Sequence, residues 1–310
     1  MIQANTTIDL RSWALLIFLS ILWGGSYLFI GTAVKELSPL VIVLARVAIA
    51  AAVLLPIHFA VLGRLPGDAK SWLAFAGMSL LNNIIPFTLI VTGQTMIAGG
   101  LASVINATTP MFGAAFLAAS GEGRLVARKA AGMIAGVLGV AVLHGTALPE
   151  LGGQTLGILL CLAAAASYGL SGLWAKWYLK GIPPLTMASG QLLISTVVMS
   201  AIAFAFDRPS ALLAASPRGW AALLGLAILS TALAYIVFFR IIGRPGAANV
   251  LLVTMLIPVS AIVMGYFILG EAVQAREIVG ALIIGAALAI IDGRFLNLLG
   301  FGNASAAKRP

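Results

Sequence analysis

Between Ser71 and Gly121 the chain carries no Asp, Glu, Lys or Arg, and an uncharged run of that length has no place on a water-facing surface. A helix needs about 20 apolar residues to cross roughly 30 Å of hydrocarbon, because it rises about 1.5 Å per residue and pairs its own backbone groups. The run is long enough to cross twice, and Gly99-Gly100, shortly after Gln94, supplies a turn near its middle. The rest of the chain agrees. With 61% hydrophobic and 9% charged residues, it lacks the polar surface to cover a soluble globule of 310 residues. Cutting at charges and turn residues predicts spans over 12–34, 38–62, 71–93, 98–120, 128–145, 154–178, 184–206, 217–240, 246–269 and 273–292. The fold class expected is an all-α membrane protein of ten transmembrane helices. Ser12 to Val34 is too long for a signal-peptide core and lacks a small-residue cleavage site, so it is expected to stay.

The net charge of +9 is spread singly between apolar spans, without the basic runs and interleaved aromatics of a nucleic-acid surface. It reads as topology. Placing the N-terminus in the cytoplasm puts thirteen Lys and Arg residues in inner loops and tails and four, Lys35, Arg208, Arg218 and Arg276, outside; Arg46 falls within a span. That asymmetry predicts both termini cytoplasmic. Cys161 is the only cysteine, so intrachain disulfides are excluded.

The halves resemble each other at an offset of about 145 to 149 residues. Trp23-Gly24 and Ser26 correspond to Tyr168-Gly169 and Ser171, Pro39-Leu40 to Pro184-Leu185, and Arg46 to Gln191. Further on, Trp72, Gly77, Phe87, Pro110 and Gly132 fall on Trp220, Gly225, Tyr235, Pro258 and Gly280. Each half holds five spans, an odd number, so the second is expected upside down relative to the first around a central cavity, as in secondary transporters. The predicted organisation is a cytoplasmic tail over 1–11, repeats over 12–149 and 150–294, and a second cytoplasmic tail over 295–310.

Taken in order, Trp23-Gly24, Pro39, Arg46, Pro110, Gly121-Glu122 and Gly132, then Pro258, Gly270-Glu271 and Gly280, resemble the drug/metabolite transporter superfamily in its EamA-type branch. Within it the chain is similar to the YddG-like amino-acid exporters. The resemblance covers nearly the whole chain and implies a multi-pass protein of the bacterial inner, or plasma, membrane working by alternating access. Its partners would be a small-molecule substrate, amino acids or related metabolites, and the lipid bilayer.

All nine carboxylates lie in loops or near predicted helix ends, which gives no support to a proton carrier built on a mid-membrane acid. Uncharged polar and aromatic residues instead recur at matched positions: Trp23, Ser26, Asn82, Asn83, Phe87, Tyr168, Ser171, Gln191, Ser230, Thr231 and Tyr235. They can line a cavity for a neutral or zwitterionic solute or act as interhelical glue. Arg46 lies about 10 Å inside its span, where it can receive a carboxylate or snorkel to the outer interface. Pro110 and Pro258 are candidate hinges or fixed kinks. Gly132 and Gly136 suggest close packing of the fifth helix on the tenth, at Gly280 and Gly285.

No enzyme activity, cofactor or metal site is expected. Gly169-Leu170-Ser171-Gly172 matches an intramembrane serine-protease pattern, but the only histidines, His58 and His144, sit near helix ends. A Gly-rich phosphate loop is missing, so ATP has no engine here. The expected function is export of small metabolites, neutral and aromatic amino acids first, with a polyspecific drug exporter or a Ser171 protease as alternatives.

Overall fold

The computed structural model describes residues 10–123, 127–144, 153–242 and 251–292, in which every regular element is helical. The tails at 1–9 and 295–310, with several basic residues that set the expected topology, lie outside the described residues. The helices are α1 (Leu10–Ala33), α2 (Pro39–Leu62), α3 (Ala69–Met78), α4 (Ile85–Gly93), α5 (Gly99–Asn106), α6 (Thr109–Ala119) and α7 (Ala127–His144), then α8 (Gly153–Tyr178), α9 (Pro184–Phe206), α10 (Pro217–Leu224), α11 (Ala234–Ile242), α12 (Leu251–Met264) and α13 (Ala275–Asp292).

Local chemistry sets the boundaries. Pro39 and Pro184 open α2 and α9, where a fixed φ suits the first turn and the missing N–H is no loss. Asp68 caps α3 by accepting from the Ser71 amide at 2.8 Å, and Ser216 caps α10 by accepting from the Gly219 amide at 3.1 Å. The uncharged run turns back at 94–98, between α4 and α5.

Among the described residues, seven of the ten expected spans are long and apolar enough to cross a membrane: 11–33, 39–62, 69–93, 99–119, 153–178, 184–206 and 217–241. Two others are shorter apolar helices, 130–142 and 253–269, and α13 has 18 residues. The outer surface suits lipid, since Phe204, Phe206, Val137 and Leu282 are all more than 60% exposed.

Two of these spans are composite. A π-helical segment, Ser79–Ile84, joins α3 to α4, and a second, Gly225–Leu233, joins α10 to α11 at the repeat-related place. Pro86, at the start of α4, cannot donate the amide that would meet the Leu81 carbonyl in the π register. Ser167 of α8 donates to that carbonyl at 2.7 Å instead. A third π segment, Gly265–Leu269, ends at Gly270, whose φ of 68° is the left-handed conformation that favours glycine.

Contacts between the halves come in related pairs. α1 packs on α12 as α8 packs on α5 and α6; α2 meets the second π segment as α9 meets the first; α2 and α9 pack together, as do α7 and α13. The expected glycine contact of the last pair is only partly as read. A Cβ at Gly139 would sit 3.2 Å from the Gly280 carbonyl and 2.7 Å from Ile284, and one at Gly136 would overlap Met111 and lie 3.8 Å from Ala287 of α13, but Gly285 faces open space. The Pro110 expectation also divides from that for Pro258. Pro110 stands at the restart of a broken helix, after the turn between α5 and α6, whereas Pro258 lies inside a continuous α12.

A Cβ at Gly77 would overlap the indole of Trp174, which also donates to the Ala74 carbonyl at 3.0 Å. Gly77→Val is therefore expected to destabilise the detergent-solubilised protein by about 1–3 kcal/mol through overpacking, while Gly285→Ala leaves its melting temperature unchanged.

Candidate functional site

Between the two halves lies a cavity of about 470 Å³, within the range of small-molecule sites. Eleven of the predicted residues line it: Trp23, Ser26, Arg46, Asn82, Phe87, Tyr168, Ser171, Gln191, Ser230, Thr231 and Tyr235. Asn83 does not. Its helix face turns to α9, where its amide donates to Ser195 Oγ at 3.0 Å, and it is wholly buried. Sequence reading missed Tyr27, Met78, Thr254 and Phe238 among the lining residues. Tyr27 sits beside Ser26, and Thr254 is the repeat mate of Asn106, so both carried a readable signal.

Both π segments feed this cavity. The first supplies Asn82 and the second Ser230 and Thr231, each segment widening its helix where a polar side chain must face inward. Tyr235 bridges the halves: its hydroxyl donates to Asn83 Oδ1 at 3.0 Å and accepts from Asn82 Nδ2 at 3.2 Å. Ser171 Oγ donates to the Tyr168 carbonyl at 2.8 Å. Asn82 Oδ1 lies 3.3 Å away as a second acceptor. Among the described lining residues there is no histidine to serve Ser171 as a base.

Arg46 does not snorkel. It is 5% exposed; its Nε donates to Thr231 Oγ1 at 2.9 Å, and its Cζ lies 3.5 Å from the centre of the Phe87 ring. Thr231 holds its own place by donating to the Leu226 carbonyl at 2.9 Å, a five-residue reach that the π register allows. Stacking on the ring and one hydrogen bond offset part of the cost of a buried cation. Four other polar atoms of the lining have no hydrogen-bond partner: Asn106 Oδ1, both amide atoms of Gln191, and Ser230 Oγ. Gln191 sits near the Tyr235 hydroxyl without reaching hydrogen-bond geometry.

The cavity is closed at one end. Tyr27, Ile30 and Ile90, toward the ends of α1 and α4, are less than 5% exposed. At the opposite end Ala175, Phe238, Phe239 and Thr254 are partly exposed. Beyond the closed end the halves are tied by carboxylates. Glu271 accepts from the Gly99 and Gly100 amides at 3.0 and 3.2 Å, seated on the N-terminus of α5. Glu36 accepts from the Ser216 amide at 2.9 Å and from its hydroxyl at 2.7 Å, bonds that hold its carboxyl below the usual range, and Ser38 donates to Asp207. At the other end Glu122, the repeat mate of Glu271, pairs with Lys176 and accepts from the Trp177 indole; Lys176 chiefly lowers its pKa.

Tyr235→Phe leaves Asn83 Oδ1 buried without a donor. We expect a loss of about 1–3 kcal/mol of stability, read as a lower midpoint in thermal unfolding.

The model of the EamA-like transporter family matches this chain twice, over residues 11–144 and 155–292. The uncharacterized transporter YoaV of Bacillus subtilis is 24% identical over 270 residues, 87% of this chain and 92% of its own. YvbV of the same organism is 27% identical over 91% of this chain and 92% of its own. A probable amino-acid metabolite efflux pump of Salmonella typhimurium is 27% identical over 65% of this chain and 68% of its own. A crystal structure superposes with a TM-score of 0.64 at 17% identity, covering 91% of this chain and 96% of that one. With its all-helical bundle, its apolar spans and a family match to each half, the chain belongs to the EamA-like transporter family.

Proposed function

We propose that the protein exports neutral amino acids, aromatic and medium-sized apolar ones first, by alternating access without ATP, as two inverted five-helix repeats in the bacterial inner membrane. The observation that carries this reading is the cavity between the halves, sealed at one end and lined by neutral polar groups, aromatic faces and one arginine. Trp23, Phe87, Tyr168 and Tyr235 offer surfaces for an apolar side chain, while Ser26, Asn82, Ser171, Gln191, Ser230 and Thr231 offer hydrogen bonds. Among the described lining residues there is no carboxylate to hold an organic cation.

In this reading both termini are cytoplasmic and the sealed end faces outward, so the state described is open to the cytoplasm. Export then requires the seat of Glu271 on α5 to release, together with the Glu36 and Asp207 contacts. Pro110, at the restart of α6, marks where the first half can flex, and Pro258 is its counterpart in the second. The Salmonella relative's description as a probable amino-acid metabolite efflux pump supports the substrate class.

Single cysteines introduced at Lys35 and Arg208 should react with an impermeant reagent added to whole cells, and those at Arg64 and Lys180 only after permeabilisation. Labelling of Lys35 and Arg64 positions from the same side would sink the arrangement. For function, purified protein in liposomes should show saturable counterflow of phenylalanine and leucine. Alanine at Asn82, Gln191 or Ser230 should weaken substrate affinity about five- to a hundred-fold, the equivalent of about 1–3 kcal/mol for one lost hydrogen bond. Exchange of quaternary amines with no response to any amino acid would replace this reading with that of a drug exporter.

A further inference from the structure

We propose that the cavity is a monocarboxylate site, in which a carboxylate on Arg46 and an apolar body carry recognition and an α-ammonium group is dispensable. The inference deepens the transport reading above and rests on it for direction and cycle, but not for binding.

Among the described residues that line the cavity, Arg46 brings the only formal charge, since no lysine, aspartate or glutamate is among them. It forms no ion pair with a described residue. Its Nε is committed to Thr231 and one face of the guanidinium to Phe87, which fixes the plane of the group and leaves its terminal N–H groups for a ligand. A planar fork held in this way matches a carboxylate in two hydrogen bonds. The hydroxyls of Tyr27 and Tyr168 lie near the same charge as further donors, while that of Tyr235 is committed to Asn83 Oδ1.

The repeat partner of Arg46 sharpens the point. Gln191 is 1% exposed and both of its amide atoms lack partners, as does the hydroxyl of Ser230, also 1% exposed. The second half thus places a neutral amide where the first places a cation, and neither places an anion. A substrate ammonium would find only neutral acceptors, Asn106 Oδ1 and Gln191 Oε1, while lying in the field of an unpaired guanidinium at low dielectric. A carboxylate without the ammonium gains the same attraction and meets no repulsion. The substrate range therefore extends from neutral amino acids to aryl and alkyl monocarboxylates of similar size.

The test compares four ligands that share a phenyl body: phenylalanine, 3-phenylpropionate, phenylalaninamide and 2-phenylethylamine. Their binding to purified protein in detergent near pH 7.5 is measured by calorimetry, and their counterflow in liposomes beside it. Binding of 3-phenylpropionate is expected within about threefold of phenylalanine or tighter, while the amide and the amine bind at least about tenfold more weakly. Arg46→Gln should abolish that preference. Gln191→Glu adds an anion to the cavity, so it should bring the amine to at least the affinity of the acid even if Arg46→Gln fails to fold. An amine that binds the native protein as tightly as the acid overturns the proposal, as does phenylalanine binding without 3-phenylpropionate or a protein that binds none of the four. Binding in the expected order with no counterflow would instead overturn the transport reading and leave the carboxylate site standing.

Discussion

Inside hydrocarbon a main-chain carbonyl that loses its amide has no water to turn to, and the Leu81 carbonyl is the place where this protein meets that problem most directly. The proline that follows in α4 cannot serve it, so a serine on α8 does. That one bond ties the first half to the second at the level of the cavity and stabilises a π register that an isolated helix would give up. The register in turn aims Asn82 inward and Asn83 toward α9. Two adjacent asparagines thereby take different work, one lining the cavity and the other closing a buried chain through Ser195 to the Gln191 carbonyl.

The second half reaches the same shape by another route. The residue matching Pro86 is Ala234, so no missing amide forces its π segment. There the Thr231 hydroxyl bonds the Leu226 carbonyl and simultaneously receives Arg46, and the demand comes from a charge rather than from a proline. The two halves are alike in backbone and unlike in chemistry. Arg46 is matched by Gln191 and Phe87 by Tyr235, and the helix broken before Pro110 is matched by one that runs through Pro258. A single cavity of mixed character results where strict repetition would have given two equal poles.

Much of this was legible in the residues. Hydropathy located the spans because hydrocarbon thickness sets their length, and the spacing of Trp23, Arg46 and Phe87 against their mates pointed to the cavity wall. What stayed hidden were orientations. Hydrophobic periodicity is nearly flat in helices that are apolar all round, so it could not separate Asn82 from Asn83 or show that Arg46 turns inward beneath Phe87. The π segments were equally invisible, since one extra residue per turn leaves composition unchanged. The reading of Gly285 as an interface residue failed for a similar reason: a small residue can mark close packing, but its spacing does not say which side of α13 meets α7.

The seat of Glu271 is defined by side chains that are missing. A Cβ at Gly99 would come within 2.9 Å of the Gln94 amide, one at Gly100 within 3.0 Å of Ile262, and one at Gly265 would strike the Glu271 carboxylate itself. The cavity wall is different, because its side chains border a volume of about 470 Å³ that can take up a change of size or polarity. Mutational drift therefore falls unequally on the molecule. A lineage carrying this fold can exchange one cavity side chain at a time and so change what it moves, while the closure at the far end, built from glycines and bare backbone, has almost no neighbouring sequence to drift into.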